Sequence, residues 1–146
     1  MARKCVGILI FPDVEVLDFC GPFEVFSVTR LNEERRREES SPFEVLLVGE
    51  TAEPARTTGG MRVIPDVTID ACPRLDVLVV PGGWGTRTVI KNERVLQWIA
   101  DRGRAVETLT RSARGRCCSA RRACSTGAAP RRTGVRCHGC ASRSRR

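Results

Sequence analysis

The chain has 146 residues and a formal net charge of +8, and 41% of its residues are hydrophobic. This length allows one domain with its own core. No uninterrupted apolar stretch approaches the roughly 20 residues of a transmembrane helix, so no membrane-spanning segment is expected.

The net positive charge of the chain comes from its C-terminal part. Residues 111–146 hold 11 of the 25 basic residues and none of the 17 acidic ones, so residues 1–110 carry 14 basic against 17 acidic residues, a net charge of −3. Five of the eight cysteines also fall in residues 111–146. We therefore divide the chain into a slightly acidic body, residues 1–110, and an Arg/Cys-rich tail, residues 111–146.

The N-terminal sequence MARKCVGILIF predicts a cytoplasmic protein. Its apolar run is short and starts within five residues of Met1, unlike the hydrophobic region of a secretory signal peptide. In a reducing compartment the cysteines are expected to form no structural disulfides.

The body begins with a buried strand followed by a helix. The continuous apolar run Cys5–Phe11 is typical of a central strand covered on both faces, as in a parallel sheet. The next segment predicts a helix with Pro22 in its first turn. The apolar face of this helix is predicted to consist of Phe23, Val25, Phe26 and Val28.

Strands and helices then alternate along the body. The further predicted elements are a strand at Phe43–Glu50, a hairpin turned at Gly59 and Gly60, a strand at Leu75–Val80, a helix containing Ile99 and ended by Gly103, and a strand at Ala105–Thr110. This alternation predicts a doubly wound α/β domain with a mostly parallel sheet. In such a sheet the binding crevice lies at the carboxyl ends of the strands, here after Phe11, Val80 and Thr110.

Two acidic residues, Asp18 and Glu24, lie in and beside the entrance of the first predicted helix. A carboxyl group in a crevice beside Leu17 and Phe19 would lose solvation, which favours its protonated form and suits a proton donor or acceptor. The alternative is structural, because acids in a first helical turn interact with free backbone N–H groups.

The segment PGGWG, residues 81–85, follows the third predicted apolar strand. Gly82 and Gly83 would let backbone N–H groups approach a substrate oxygen. A turn between a strand and a helix also needs glycine for its shape alone. Trp84 would either line a pocket or cover the edge of the sheet, whereas Trp98 is expected to pack in the core.

The chain resembles a known family in three motifs. GILIFPDVEVLDFCGPFEVFSV, FEVLLVGETAEPARTTGGMRVIPD and LDVLVVPGGWGTR, in this order and spacing, are similar to the ThiJ/PfpI family of the class I glutamine amidotransferase-like superfamily, with the isonitrile hydratase-like branch nearest. The resemblance covers about residues 4–110. It implies a flavodoxin-like sheet, a homodimer, a small-molecule substrate, cysteine-dependent hydratase or hydrolase chemistry, and no metal or organic cofactor.

The resemblance also implies roles for individual residues. Asp18 corresponds to the acid beside the nucleophile and Glu24 to a second acid, while Gly82 or Gly83 donates the oxyanion-binding N–H and Trp84 contributes to substrate binding. The family's reactive cysteine stands in a turn like Val-Cys-Thr-Gly-Ala after the next strand, and no such motif follows Thr110. We therefore expect a sheet truncated after its fourth or fifth strand and little or no family activity.

The composition of the tail predicts disorder, because Val135 is its only large apolar residue. A shifted reading frame would explain this composition. Ser112–Ser119 can be encoded by bases that read, two positions later, Cys-Thr-Gly-Ala-Leu-Leu-Leu. The same offset allows Leu-Leu-Asp-Gly within Ala123–Gly127 and His-Trp-Gly within Arg132–Val135, which are also family patterns. Our hypothesis is a single-base loss just after Thr110.

Other functions remain open from the sequence. Cys137 and Cys140 have the C-x-x-C spacing of a zinc site, and Cys117, Cys118 or Cys124 could complete four ligands. The tail arginines could bind nucleic acid weakly and without sequence specificity. The body could also be a sensor domain, because some ThiJ/PfpI-like domains precede a helix-turn-helix region of a transcription regulator.

Overall fold

The computed structural model describes residues 3–111. The strands are β1 (Lys4–Ile10), β2 (Phe43–Gly49), β3 (Ala55–Arg56), β4 (Arg62–Val63), β5 (Val67–Thr68), β6 (Val77–Val80) and β7 (Thr108–Arg111), and the helices are α1 (Val16–Val28), α2 (Thr86–Val89) and α3 (Glu93–Ala105). The predictions of disorder, zinc binding, nucleic-acid binding and a shifted frame fall on residues 112–146 and lie outside the described range.

Five strands form one parallel sheet in the order β5-β2-β1-β6-β7, and β3 pairs with β4 in a separate antiparallel hairpin. This confirms the doubly wound α/β prediction and the central position of β1. The chain proceeds from β1 to β2 on one side and from β6 to β7 on the other. The direction therefore changes between β1 and β6, which is where such sheets place their binding crevice.

The core is built on β1. Val6, Ile8, Leu9 and Ile10 are at most 1% exposed, as expected for a strand covered on both faces. On one side Phe19 of α1 is buried, and Phe26 of the same helix meets Phe43 edge to face, with ring centroids 4.9 Å apart. These contacts attach α1 to the sheet and direct its first turn toward the carboxyl end of β1.

Helix α1 differs from the prediction in two respects. It begins at Val16, so Pro22 lies inside it rather than in its first turn. Only Phe26 of the predicted apolar face packs against the core, whereas Phe23, Val25 and Val28 are exposed. The reason is geometric, because the line of contact with the sheet runs through Phe19 and Phe26, which are two turns apart on one face.

The region after β6 also differs from the prediction. Two helices, α2 and α3, replace one, and the side chain of Asn92 between them caps α3 by accepting a hydrogen bond from Val95 N at 3.3 Å. Gly103 lies within α3 and does not end it. A Cβ atom there would come within 3.1 Å of Leu109, so the glycine accommodates the return of the chain into β7.

Candidate functional site

The loop between β1 and α1 and the loop between β6 and α2 are joined through their backbones. Glu15 N–H donates to Gly82 O at 3.0 Å, and Gly85 N–H donates to Asp13 O at 3.1 Å. Gly83 has a φ of +125°, and a Cβ atom on it would lie 2.5 Å from Asp13 O. Glycine is therefore required at this position both for its backbone conformation and for the close contact.

Asp18 connects the same two loops through its side chain. It lies in the first turn of α1, is half-buried, and its Oδ2 accepts a hydrogen bond from Gly82 N at 3.0 Å. Within residues 3–111, the second carboxylate oxygen of Asp18 has no hydrogen-bond partner. The structure thus brings Asp18 next to the glycine pair at the switch point of the sheet.

The two glycines are not equivalent. The N–H of Gly82 already donates to Asp18. The N–H of Gly83, by contrast, has no acceptor among the residues that the structure describes. Within the described residues the two glycines therefore differ in whether their N–H has an acceptor, a distinction that the sequence left open.

The hairpin of β3 and β4 supports the loop after β1 from outside. Arg56 O accepts from Asp13 N at 2.7 Å, and Thr58 donates through its N–H to Val14 O at 3.2 Å and through Oγ1 to Asp13 O at 3.0 Å. The neighbouring Thr57 is buried, and its hydroxyl has no partner in the described part of the chain. The sequence indicated a hairpin here but not its contact with the site.

Trp84 is the exposed residue of the PGGWG segment. It is 53% exposed, while both glycines before it are buried. The guanidinium carbon of Arg87 lies 4.3 Å from the centroid of the indole ring, within cation–π distance. Sequence reasoning missed Arg87, although its position three residues after an aromatic residue at the start of a helix is a signal for such a pair.

Glu24 lies apart from this arrangement. It is exposed on α1, six residues after Asp18. Six helical residues correspond to about 9 Å of rise and about 240° of rotation. The structure therefore does not bring Glu24 to the carboxylate of Asp18.

The three cysteines of the described chain are free thiols. Burial raises the pKa of Cys20, which follows Asp18 by two residues on α1. Burial likewise raises the pKa of Cys5 and of Cys72, with Arg102 opposing the shift at Cys72. A raised pKa disfavours the thiolate, which is the form in which a cysteine acts as a nucleophile.

Residues 3–111 contain neither a group of metal-ligating side chains nor a membrane-spanning helix. No three His, Cys, Asp or Glu side chains are grouped as ligands of a metal ion would be. No helix in this part of the chain has the length and apolar character needed to cross a bilayer.

A separate cavity of about 260 Å³ lies at the carboxyl ends of β1 and β2. Its apolar wall includes Ile10 and Val89, and the carboxylate of Glu50 at its edge accepts from Asn92 Nδ2 at 2.8 Å. Neither Asp18 nor the glycine pair lines this cavity. It adjoins the two joined loops, because Asp13 and Gly85 also line it.

The chain is similar to proteins of one known family. The signature of the DJ-1/PfpI family matches residues 4–109. An isonitrile hydratase of Pseudomonas putida is 34% identical over 95 residues, which cover 64% of this chain and 36% of that protein.

Solved structures show the same similarity. A ThiJ/PfpI family protein of Pseudomonas syringae has a TM-score of 0.64 and 26% identity, covering 76% of this chain and 42% of that one. A two-domain protein of Anabaena variabilis with DJ-1/ThiJ/PfpI-like and ferritin-like domains has a TM-score of 0.61 and 20% identity. The match covers 80% of this chain and 31% of that one. The chain thus spans less than half the length of these relatives.

Proposed function

This chain belongs to the DJ-1/PfpI family, and on that basis we propose that residues 4–109 form part of a small-molecule site of the isonitrile hydratase type. The observation that carries the proposal is the contact of Asp18 Oδ2 with Gly82 N at 3.0 Å, beside Gly83, whose N–H has no acceptor within residues 3–111. It combines a proton-transferring carboxyl group with a donor for negative charge at the switch point of the sheet.

The reaction would use these groups with a thiol supplied by the turn after β7 in the complete family. Asp18 transfers a proton to the isonitrile carbon and accepts the thiol proton, while the sulfur forms a bond to the same carbon. Water then adds to this thioimidate, and the N–H of Gly83 stabilises the oxygen that gains negative charge. Departure of the sulfur releases an N-substituted formamide and restores the thiol.

The proposal includes inactivity of the chain as it stands. Thr110 is followed by Arg111, and the nearest downstream cysteine in the sequence is Cys117, seven residues beyond Thr110. The family turn has its cysteine directly after the strand. A one-base loss after codon 110 accounts for this difference, and the sequence of the coding DNA tests that part directly.

Restoring the frame tests the catalytic part. One base is inserted after codon 110, and formamide production from a small alkyl isonitrile is followed by proton NMR. The unaltered chain should give no product and the restored chain should turn over. Asp18→Asn in the restored chain should lower kcat by at least roughly a hundredfold, within the range for general acid–base groups.

Asp66→Asn is the matched control, because Asp66 Oδ2 likewise accepts a backbone hydrogen bond, from Leu47 N at 2.7 Å, but lies outside the site. It should leave kcat unchanged. Turnover by the unaltered chain would contradict the proposed inactivity. Equal turnover of the Asp18 and Asp66 variants would contradict the role of Asp18.

We also propose that the outward face of α1 forms a homodimer contact. Leu17 is 78% exposed and Val25 62%, and Phe23 and Val28 extend this apolar surface. A helix with apolar residues on both sides favours burial on both sides. Val25→Glu should convert a dimer to a monomer in light scattering, whereas the control Ile64→Glu, at an exposed site outside α1, should not.

A further inference from the structure

We propose that Trp84 and Arg87 form a recognition element for a carboxylate on the substrate of the Asp18 site, so that the substrate class is small organic acids. This inference rests on the proposed function, because it concerns the same crevice. We call these two residues the Trp84–Arg87 pair. None of the residues that we place in proton transfer or oxyanion binding belongs to this pair.

The position of Trp84 is determined by the backbone on both sides of it. Gly82 O accepts from Glu15 N, and Gly85 N donates to Asp13 O at 3.1 Å, so the segment is held before and after the tryptophan. The glycines are buried while the indole extends into solvent. Trp84 is thus exposed two residues after Gly82, the residue that contacts Asp18.

Arg87 is held by the same segment. The backbone N–H of Arg87 donates to Trp84 O at 3.2 Å, and its guanidinium carbon lies 4.3 Å from the centre of the indole ring. A guanidinium group that stacks on an aromatic face keeps the N–H donors of its planar edge for other partners. An oriented guanidinium of this kind matches the two oxygens of a carboxylate in a bidentate pair.

The side chain of Arg87 differs from four other arginines in its ionic contacts. Arg35, Arg36, Arg94 and Arg104 each form an ion pair with an acidic side chain. Within residues 3–111, Arg87 forms no ion pair. Because Asp18 repels a second carboxylate, a substrate acid would bind at Arg87 and direct its uncharged reactive end toward Asp18.

The test measures binding to the full chain by calorimetry, with isocyanoacetate and its methyl ester as probes. The two molecules share the isonitrile group and differ in charge. Wild-type protein should bind isocyanoacetate more tightly than the ester, and added salt should reduce the difference. Arg87→Gln should weaken binding of isocyanoacetate roughly ten- to a hundredfold and leave the ester unchanged.

Arg87→Lys and Arg94→Gln complete the series. Lysine keeps the charge without the planar fork, so it should recover part of the lost affinity. Arg94→Gln removes an arginine that is paired with Asp70 and Glu50 elsewhere, and it should change neither affinity. Circular dichroism of each variant verifies that the fold is retained.

Equal binding of acid and ester, or equal effects of Arg87→Gln and Arg94→Gln, would overturn the role of the Trp84–Arg87 pair while leaving the proposed function in place. Failure of the wild-type chain to bind either probe would overturn the inference, whereas the proposed function is tested separately by turnover of the frame-restored chain.

Discussion

Replacing single glycines by alanine tests whether the two site loops are as closely joined as the structure indicates. Alanine at Gly83 would have an unfavourable φ of +125° and a Cβ atom 2.5 Å from Asp13 O. The conformational cost is about 1–3 kcal/mol and the overlap costs about 1–3 kcal/mol more. Gly83→Ala should therefore lower the free energy of unfolding by about 4 kcal/mol.

Two other glycines separate the contributions. Gly60 has a φ of +88° but only the Arg56 side chain nearby, at 3.6 Å, so Gly60→Ala should cost about 1–2 kcal/mol. Nothing lies within 4 Å of a Cβ atom on Gly59, so Gly59→Ala should change stability by less than about 0.5 kcal/mol.

Urea unfolding followed by tryptophan fluorescence measures all three variants. With a slope of about 2 kcal/mol per molar urea, the Gly83→Ala midpoint should fall by roughly 2 M. If Gly83→Ala is no worse than Gly60→Ala, the close contact with Asp13 does not exist. If it matches Gly59→Ala, the backbone conformation assigned to Gly83 is also wrong.

Three further measurements address other parts of the molecule. Thr57→Val replaces a buried hydroxyl that has no hydrogen-bond partner among residues 3–111. Urea unfolding should show that the variant is about 1 kcal/mol more stable. A loss of stability would mean that the hydroxyl has a partner. Burial raises the pKa of Cys72 and restricts access to its thiol. Iodoacetamide at pH 8 should therefore modify Cys72 roughly tenfold more slowly than the less buried Cys20, as measured by peptide mapping. Equal rates would contradict the burial of Cys72. The hydrogen bond and charge of Glu107 raise the pKa of Lys4, so the stabilising contribution of this pair is complete below the ordinary lysine pKa and is lost as pH rises through the raised value. An NMR titration should place the Lys4 pKa above that of Lys4 in the Glu107→Gln variant, and identical titrations would exclude the interaction.

Local sequence patterns predicted the elements whose residues pack in the most regular way. The apolar run of β1 could only be satisfied by cover on both faces, and the structure places it at the centre of the sheet. The pair Gly59 and Gly60 correctly indicated the turn of the β3–β4 hairpin. These signals depend on residues close together in the chain, so the sequence contains them directly.

The errors arose where distant residues decide the outcome. Helix α1 begins without a hydrogen bond from a capping side chain, so no cap residue marks its start, and Pro22 was misleading. Gly103 resembles a helix end, yet α3 continues to Ala105, and a Cβ atom on Gly103 would lie 3.1 Å from Leu109 of β7. Neither the uncapped start of α1 nor the proximity of Gly103 to Leu109 has a signal in the neighbouring sequence.

The candidate site divides in the same way. The sequence and its family resemblance by themselves determined a parallel α/β domain and singled out Asp18 and the glycine pair, because hydrophobic runs and glycine-rich turns are properties of short segments. Only the tertiary structure decided that Gly82 donates to Asp18 while the N–H of Gly83 has no acceptor within residues 3–111, and that Arg87 stacks on Trp84. The first of these contacts joins residues 64 positions apart, and its geometry depends on how two separate loops meet at the edge of the sheet.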